Sequence, residues 1–279
     1  MPSHKSFRRR YDPSAVLPSP APPLAPGAPE ERGVVYLALG AEHVSLAATS
    51  VSFLRRFGYR GKVRVVTDHA SFPAADLDVE VVSIAQAGPP YSARHYKTRI
   101  CAHGFPVTLF LDTDILPIAP IDPIFESLGS EPLALSLELM HTQSFLDHYW
   151  DDPAAPQQEL RDTSELGLGA HPFYNSGVLL FRRSEVTDRL FLTWHEEWRR
   201  YGDWDQLALV RALARTAIKP RVLPSCWNYP PTHFTSIADA QGAGVKMLHF
   251  FSGPERDRLP DMLRAFSPGS AAAGPGQGG

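Results

Sequence analysis

Asp112 and Asp114 break into a largely apolar run that starts at Val107 and resumes at Ile115-Leu116. An ionised carboxylate taken out of water without a partner costs several kcal/mol, so a charged pair at the end of a hydrophobic strand is economical when it holds a cation. Extended chain has a period of two, which points both side chains to one side. Hard oxygen ligands at this spacing suit Mg²⁺ or Mn²⁺, ions that keep several waters and bind through one or two carboxylates plus a substrate diphosphate. The chemistry implied is a phosphate leaving group bridged by a metal. A plainer reading stays open on these residues alone, with Asp112 capping the following turn and Asp114 solvated.

The elements that must position this pair follow from periodicity. Val34 to Leu39 is a continuous apolar strand, Val44 to Phe57 has helical spacing, and Val63 to Val66 is again a strand. Strand, helix and strand in that order imply parallel pairing. Val79 to Val82 and Val107 to Phe110 add strands, with a helical stretch from about Ala93 to His103 between them. Leu133 to Leu137 and Gly177 to Phe181 continue the alternation. Val186, Leu190, Phe191, Trp194 and Trp198 mark a helix with a core-facing stripe, and a further helix runs from about Trp204 to Leu213. A short strand at Val245 to Leu248 leads into His249. The class is α/β, with a mixed, mainly parallel central sheet. Ligands in such sheets sit beyond the carboxyl ends of the strands, where both the Asp pair and His249 fall.

The chain has 279 residues, 43% hydrophobic and 20% charged, which fits one globular domain with tails. Residues 1–32 are Pro-rich and basic, and residues 267–279 are Gly/Ala-rich; both read as disordered tails around a folded domain at 33–266. A formal net charge of −3 gives no general attraction to nucleic acid. No run is long enough for a transmembrane segment, and Cys101 and Cys226 are too few for a disulfide framework, so a cytoplasmic protein is expected.

Several landmarks then fall in a known order. Lys97-Thr98-Arg99 precedes the Asp112 segment, Pro120 to Phe125 follows it, and Phe173-Tyr174-Asn175-Ser176-Gly177-Val178, Asp205-Gln206, Trp227-Asn228 and Leu248-His249-Phe250 come after. From about Gly33 to Arg264 this resembles the GT-A nucleotide-diphospho-sugar transferases, and within them glycosyltransferase family 8, the glycogenin-like retaining enzymes. The resemblance implies a GT-A (Rossmann-like) single domain and a hexose moved from a nucleotide-diphosphate sugar, UDP-linked by analogy, to a glycan, lipid-linked or protein acceptor that the sequence does not name. It implies Mn²⁺ or Mg²⁺ as cofactor, held by Asp112, Asp114 and His249. Donor contacts carried over are Tyr36, Ala38, His43, Arg94, Lys97, Asp112, Thr113, Asn175, Ser176, Gly253, Arg256 and Arg258. Asp205, Gln206 and Asn175 fall at the catalytic, sugar-lining positions.

Two departures stand out. Family members place a glycine and then a lysine at set distances after the metal-binding histidine; here Gly253 comes one residue late and no lysine follows nearby, so Arg256 or Arg258 would replace it. His43 falls near the family's base-stacking aromatic position. Without the resemblance, Lys97 reads as a solvated helix residue, His249 as a core histidine, Asp205 as a helix-opening acid and Asn175-Ser176 as a turn before a strand. Trp227 and Tyr229 could face an acceptor or pack in the core. Two rivals remain. One is a catalytically silent nucleotide- or glycan-binding module on the same fold. The other is a sugar nucleotidyltransferase, which would need a Gly-rich basic loop where Gly40-Ala41-Glu42-His43 stands.

Overall fold

The computed structural model describes residues 31–69, 71–73, 75–84, 93–251 and 253–265. The expected tail 267–279, and all but the last two residues of the expected tail 1–32, lie outside them.

Long apolar strands with both faces covered form the centre. The strands are β1 (Arg32–Ala38), β2 (Lys62–Thr67), β3 (Glu80–Ser83), β4 (Val107–Leu111), β5 (Ile115–Pro117), β6 (Leu133–Leu137), β7 (Tyr174–Arg182), β8 (Arg221–Leu223) and β9 (Met247–His249). Seven of them make one sheet in the order β3-β2-β1-β4-β7-β6-β8. β1 to β4 pair in parallel, while β7 runs antiparallel to both β4 and β6. This is the GT-A architecture, a mixed sheet parallel in its first half.

Period-two alternation splits the core. Val34, Tyr36, Leu109, Leu111, Val178 and Leu180 face one side with α1 (Gly40–Arg56). Val35, Leu37, Phe110, Leu179 and Phe181 face the other with helix residues Leu190, Trp194 and Leu209. The stretch expected as one helix from Ala93 to His103 is instead a short α2 (Ala93–Lys97) and a 3₁₀ turn at Ile100–His103. Ile100 and Cys101 are both buried in this tighter turn. The last expected strand also differs. β9 pairs with β5, antiparallel, in a two-stranded ribbon outside the main sheet, and on its other side Leu248 bridges Tyr229.

Helices α3 (Asp122–Glu126), α4 (Thr142–Tyr149), α5 (Gln157–Glu165), α6 (Glu185–Tyr201) and α7 (Asp205–Thr216) follow in chain order. α8 (Ile237–Gly242), α9 (Gly253–Arg256) and α10 (Leu259–Ala265) complete the set. Ser184 and Thr187 form a reciprocal cap at the start of α6. Val186, expected in its core stripe, is 50% exposed, because it lies in the first turn before the packed face begins.

A buried ion network ties α5, α6 and α7 together. The Arg211 guanidinium donates to Glu197 Oε2 at 3.0 Å, Glu159 Oε1 at 2.9 Å and Thr163 Oγ1 at 2.9 Å. Burial opposes the Glu197 carboxylate, but Arg215 and Arg211 outweigh it and hold Glu197 below the usual range. Burial instead pushes Glu159 up to about 7, and its Oε2 has no partner. Glu197 is therefore the standing counter-charge.

Removing Arg211 leaves two buried carboxylates facing each other, so Arg211→Met should cost about 3–5 kcal/mol in urea unfolding. Glu159→Gln should behave differently. A carboxyl whose folded pKa lies above its ordinary value opposes folding once ionised, and that opposition vanishes as pH falls below about 7. Stability of Glu159→Gln relative to wild type should therefore rise between pH 5 and pH 8; a flat difference would show that Glu159 is comfortably ionised.

Candidate active site

β4 delivers the chain to the sheet's carboxyl edge at Leu111, and residues 112–115 close a tight turn through Ile115 N donating to Asp112 O at 3.1 Å. The two carboxylates converge because of this turn, not because an extended strand alternates. β5 then pairs with β9, with Ile115 opposite His249 and Phe250 N donating to Asp114 O at 2.9 Å. The ribbon is what carries His249 to the turn. One ligand atom from each of Asp112, Asp114 and His249 lies within 4.8 Å of the others.

Hydrogen bonding around this trio favours a cation. His249 Nδ1 lies 2.8 Å from Asn228 Oδ1, an atom that can only accept, so Nδ1 carries a proton, and in the neutral ring Nε2 presents a bare lone pair. That lone pair faces buried Asp114 Oδ1 at 3.3 Å, and the oxygen has no hydrogen-bond donor. Two lone pairs pointed at each other are repulsive, and a divalent ion between them reverses the sign. The donor set, two carboxylate oxygens and an imidazole nitrogen, suits Mn²⁺ or Mg²⁺.

Gly177 gives the trio its space. Its backbone carbonyl accepts from Asp112 N at 2.8 Å. A Cβ there would lie 2.5 Å from His249 Cε1 and 3.0 Å from both Asp112 Oδ2 and Asn175 Oδ1. The pairing of β7 with β6 slips between Leu135 and Ser136, so that Leu135 faces Leu179 while Ser136 faces Asn175. This bulge frees Ser176 and Gly177 from that neighbour and aims the segment at the sheet edge. Asn175 and Ser176 therefore belong to a strand, not to a turn before one.

A cleft of about 340 Å³ runs over these residues. His43, Thr113 and the side chains of Leu37 and Leu39 line one part; Asn175, Ser176, Asp205 and Gln206 line another. Tyr36 and Ala38, expected at the donor, sit in the core on the opposite face of β1, where the Tyr36 hydroxyl meets Ser50 Oγ at 2.8 Å. The alternation of β1 presents Leu37 and Leu39 instead. His43 Nδ1 lies 2.8 Å from Thr113 Oγ1, so this histidine braces the residue between the two aspartates.

The cations are held by the site's own acids. Lys97 Nζ lies 2.7 Å from Asp112 Oδ2 and 3.3 Å from Asp205 Oδ2, and Arg94 Nε lies 3.2 Å from Asp205 Oδ1. Burial opposes the charge on Lys97, but Asp112 and Asp205 together hold its pKa above the ordinary value. Asp205 is likewise kept below the usual range, against burial, by Lys97, Arg94 and a 2.7 Å hydrogen bond from Ser176 Oγ. Burial opposes the charge on Asp114, but His249, when its ring is protonated, and Arg256 outweigh it and lower the pKa, whereas burial raises Asp112 despite Lys97. Arg256 Nη2 reaches Asp114 Oδ2 at 3.5 Å and lines the cleft. Arg258, the other candidate, turns away and donates to the carbonyls of Pro231 at 2.9 Å and Phe234 at 2.5 Å. Gly253 begins α9 outside the cleft lining.

Two residues escaped the sequence reading. Glu138 Oε2 accepts from Asn175 Nδ2 at 2.9 Å and from Gln206 Nε2 at 3.0 Å, fixing both amides. Its signal was available, since an acid directly after the buried strand β6 is placed like Asp112 after β4. Asn228 lay inside a noted landmark, but its bond to His249 needs the ribbon to be seen.

Behind α2, Thr98 Oγ1 donates to Arg94 O at 2.9 Å and accepts from His195 Nδ1 of α6 at 2.8 Å. The latch fixes the short helix that carries Arg94 and Lys97.

Gly177→Ala should weaken Mn²⁺ binding at least tenfold in calorimetry while shifting the melting temperature by only a few degrees, because the added methyl meets ligand side chains and not the core. Unchanged Mn²⁺ affinity would show that the trio does not need this space.

No family model matches the chain. Mouse glucoside xylosyltransferase 2 is 27% identical over 187 residues, covering 56% of this chain and 38% of that protein. The chain thus spans well under half of this relative's length. Among solved structures, the bifunctional glycosyltransferase WbbM superposes with a TM-score of 0.59 at 14% identity, over 82% of this chain and 47% of that one. The galactosyltransferase LgtC, bound to donor and acceptor sugar analogues, gives 0.53 at 15% identity, over 79% of this chain and 87% of that one. The fold is thus the GT-A fold of these glycosyltransferase structures, and over 187 residues the sequence is similar to that of a glucoside xylosyltransferase.

Proposed function

We propose that the protein is a divalent-metal-dependent glycosyltransferase that moves a hexose from a nucleotide-diphosphate sugar, UDP-linked by resemblance, to an acceptor hydroxyl with retention. The observation that carries this reading is the single cleft in which the Asp112, Asp114 and His249 trio adjoins both a set of cations and a set of fixed amides. Leaving diphosphate needs the first two, and a sugar's hydroxyls need the third.

Asp112, Asp114 and His249 Nε2 would hold Mn²⁺ or Mg²⁺, which when bound supplies charge stabilisation at the departing diphosphate. Arg256 adds a cation on the same side. Its Nε donates to Phe250 O at 3.3 Å, while its Nη atoms make only long contacts, 3.5 Å to Asp114 and 3.8 Å to Glu42, which phosphate oxygens could replace. In this reading Arg256 would stand in for the missing lysine, whose absence otherwise favours the silent-module alternative. Lys97 bridges the phosphate end to the sugar end through Asp112 and Asp205.

At the sugar end, Glu138 orients the amides of Asn175 and Gln206. Gln206 donates through Nε2 to Glu138 and Tyr174 O, which leaves its amide oxygen without a protein partner among the described residues. Asp205, tied to Lys97, Arg94 and Ser176, is a positioning residue and a poor nucleophile. Front-face transfer requires no such nucleophile: the departing phosphate oxygen takes the acceptor's proton. The acceptor would enter through a second cleft of about 300 Å³ that shares Glu138, Asn175 and Phe251 with the first. Among the described residues no helix is long and apolar enough to cross a membrane. Both cysteines are free, which suits the cytoplasmic setting assumed in this reading.

Nucleotide release from a panel of nucleotide sugars with Mn²⁺ tests the reading. Wild type should turn over at least one donor, and Asp114→Asn should lose cation-dependent nucleotide binding with the fold intact. Arg256→Ala should lower kcat by ~10-fold or more with a smaller change in donor affinity, as for a contact that strengthens while the leaving group gains charge. Equal losses in kcat/KM and affinity would make Arg256 a ground-state contact only.

A further inference from the structure

The second cleft differs in chemistry from the first. Its lining contains no lysine or arginine, and its one carboxylate, Glu138, is already engaged by Asn175, Gln206 and the Leu139 amide. Asn175, Ser225, Asn228 and His233 make its remaining polar wall, and Leu137, Leu139, Tyr229, Pro230 and Phe251 its apolar one. Leu137 is 47% exposed, Leu139 77% and Phe251 44%, a concentration of bare apolar surface beside a polar site. Trp227, by contrast, is buried in the core, so of the two aromatic candidates only Tyr229 faces this cleft.

The leucines are informative. A pyranose ring stacks on aromatic faces such as Tyr229 and Phe251, but its hydroxyls set against leucine methyls would lose water and gain no partner. An alkyl or aryl group set there loses nothing and removes apolar area from water. Phe251 marks the boundary, since its ring stands edge-on to His249 at 5.4 Å and belongs to both clefts. An acceptor spanning that boundary would present its hydroxyl near Glu138 and Asn175 and trail its apolar part over Leu137 and Leu139.

Resting on the glycosyltransferase reading above, we propose that the acceptor is an uncharged hydroxyl compound with an apolar aglycone, an alkyl or aryl glycoside in chemical class. In the transfer, the bond between the sugar's anomeric carbon and the diphosphate oxygen breaks, and one forms to the acceptor oxygen. The acceptor's proton leaves with the phosphate.

Calorimetry on the full chain with Mn²⁺ and UDP, titrated with methyl, butyl and hexyl β-D-glucoside, reads this directly. Affinity should rise at least tenfold from methyl to hexyl, and the rise should collapse in Leu137→Asn/Leu139→Asn but persist in Leu139→Met. Both leucines are exposed, so these variants keep the core. A flat chain-length series with UDP still bound overturns the aglycone assignment alone. Failure of UDP and Mn²⁺ to bind removes the donor reading beneath it, and the assignment with it. A chain-length dependence unchanged in the double variant also overturns it, by locating the apolar contact elsewhere.

Discussion

Asp114 Oδ1 and His249 Nε2 face each other 3.3 Å apart, two opposed lone pairs whenever the imidazole is neutral, and the surrounding structure is arranged to keep them so. A protein has no reason to stabilise two opposed lone pairs in a buried place unless a cation repays the cost. Asn228 fixes the imidazole tautomer that maintains the opposition, and Gly177 supplies the room that any side chain would fill. The bare oxygen is thus a constraint that several distant segments serve together.

Support for that constraint runs outward in layers. The turn at residues 112–115 brings the carboxylates together, the β5–β9 ribbon adds the histidine, and the bulge in β7 adds Asn175, Ser176 and Gly177. Lys97 then joins the cation end to Asp205, the first residue of α7. α7 is held from below by Arg211 with Glu197 and Glu159, while α2 is held by the bond between Thr98 and His195. The site therefore stands on elements that are fixed by buried polar networks and by packing alike. Arg256 is the exception, reached by a short helix and loosely paired, which suits a group that must move when a phosphate arrives.

Much of this was legible in the sequence, for definite reasons. Period-two runs located the sheet strands and the Asp pair declared itself as a polar interruption at a strand end, whereas His249 and Asp205-Gln206 were singled out as site residues by the family resemblance. Which face of β1 meets the cleft was not legible. Tyr36 and Ala38 alternate with Leu37 and Leu39, and a fully buried strand gives no polar side to tell the faces apart. Arg256 and Arg258 lie two residues apart, and only the carbonyls of Pro231 and Phe234 decide that Arg258 turns inward. Glu138, Asn228 and the ribbon depend on pairing between segments far apart in the chain, which no local pattern encodes. The turn at residues 112–115, not strand alternation, is what brings the two carboxylates together.

The central claim is that Asp112, Asp114 and His249 form one cation site at the diphosphate end of the cleft. Anomalous diffraction from crystals grown with Mn²⁺ and UDP tests it most directly. The account requires one manganese peak within bonding distance of both carboxylates and His249 Nε2, bridging to the diphosphate. Ordered UDP phosphates in the cleft with no manganese peak at this trio would contradict it.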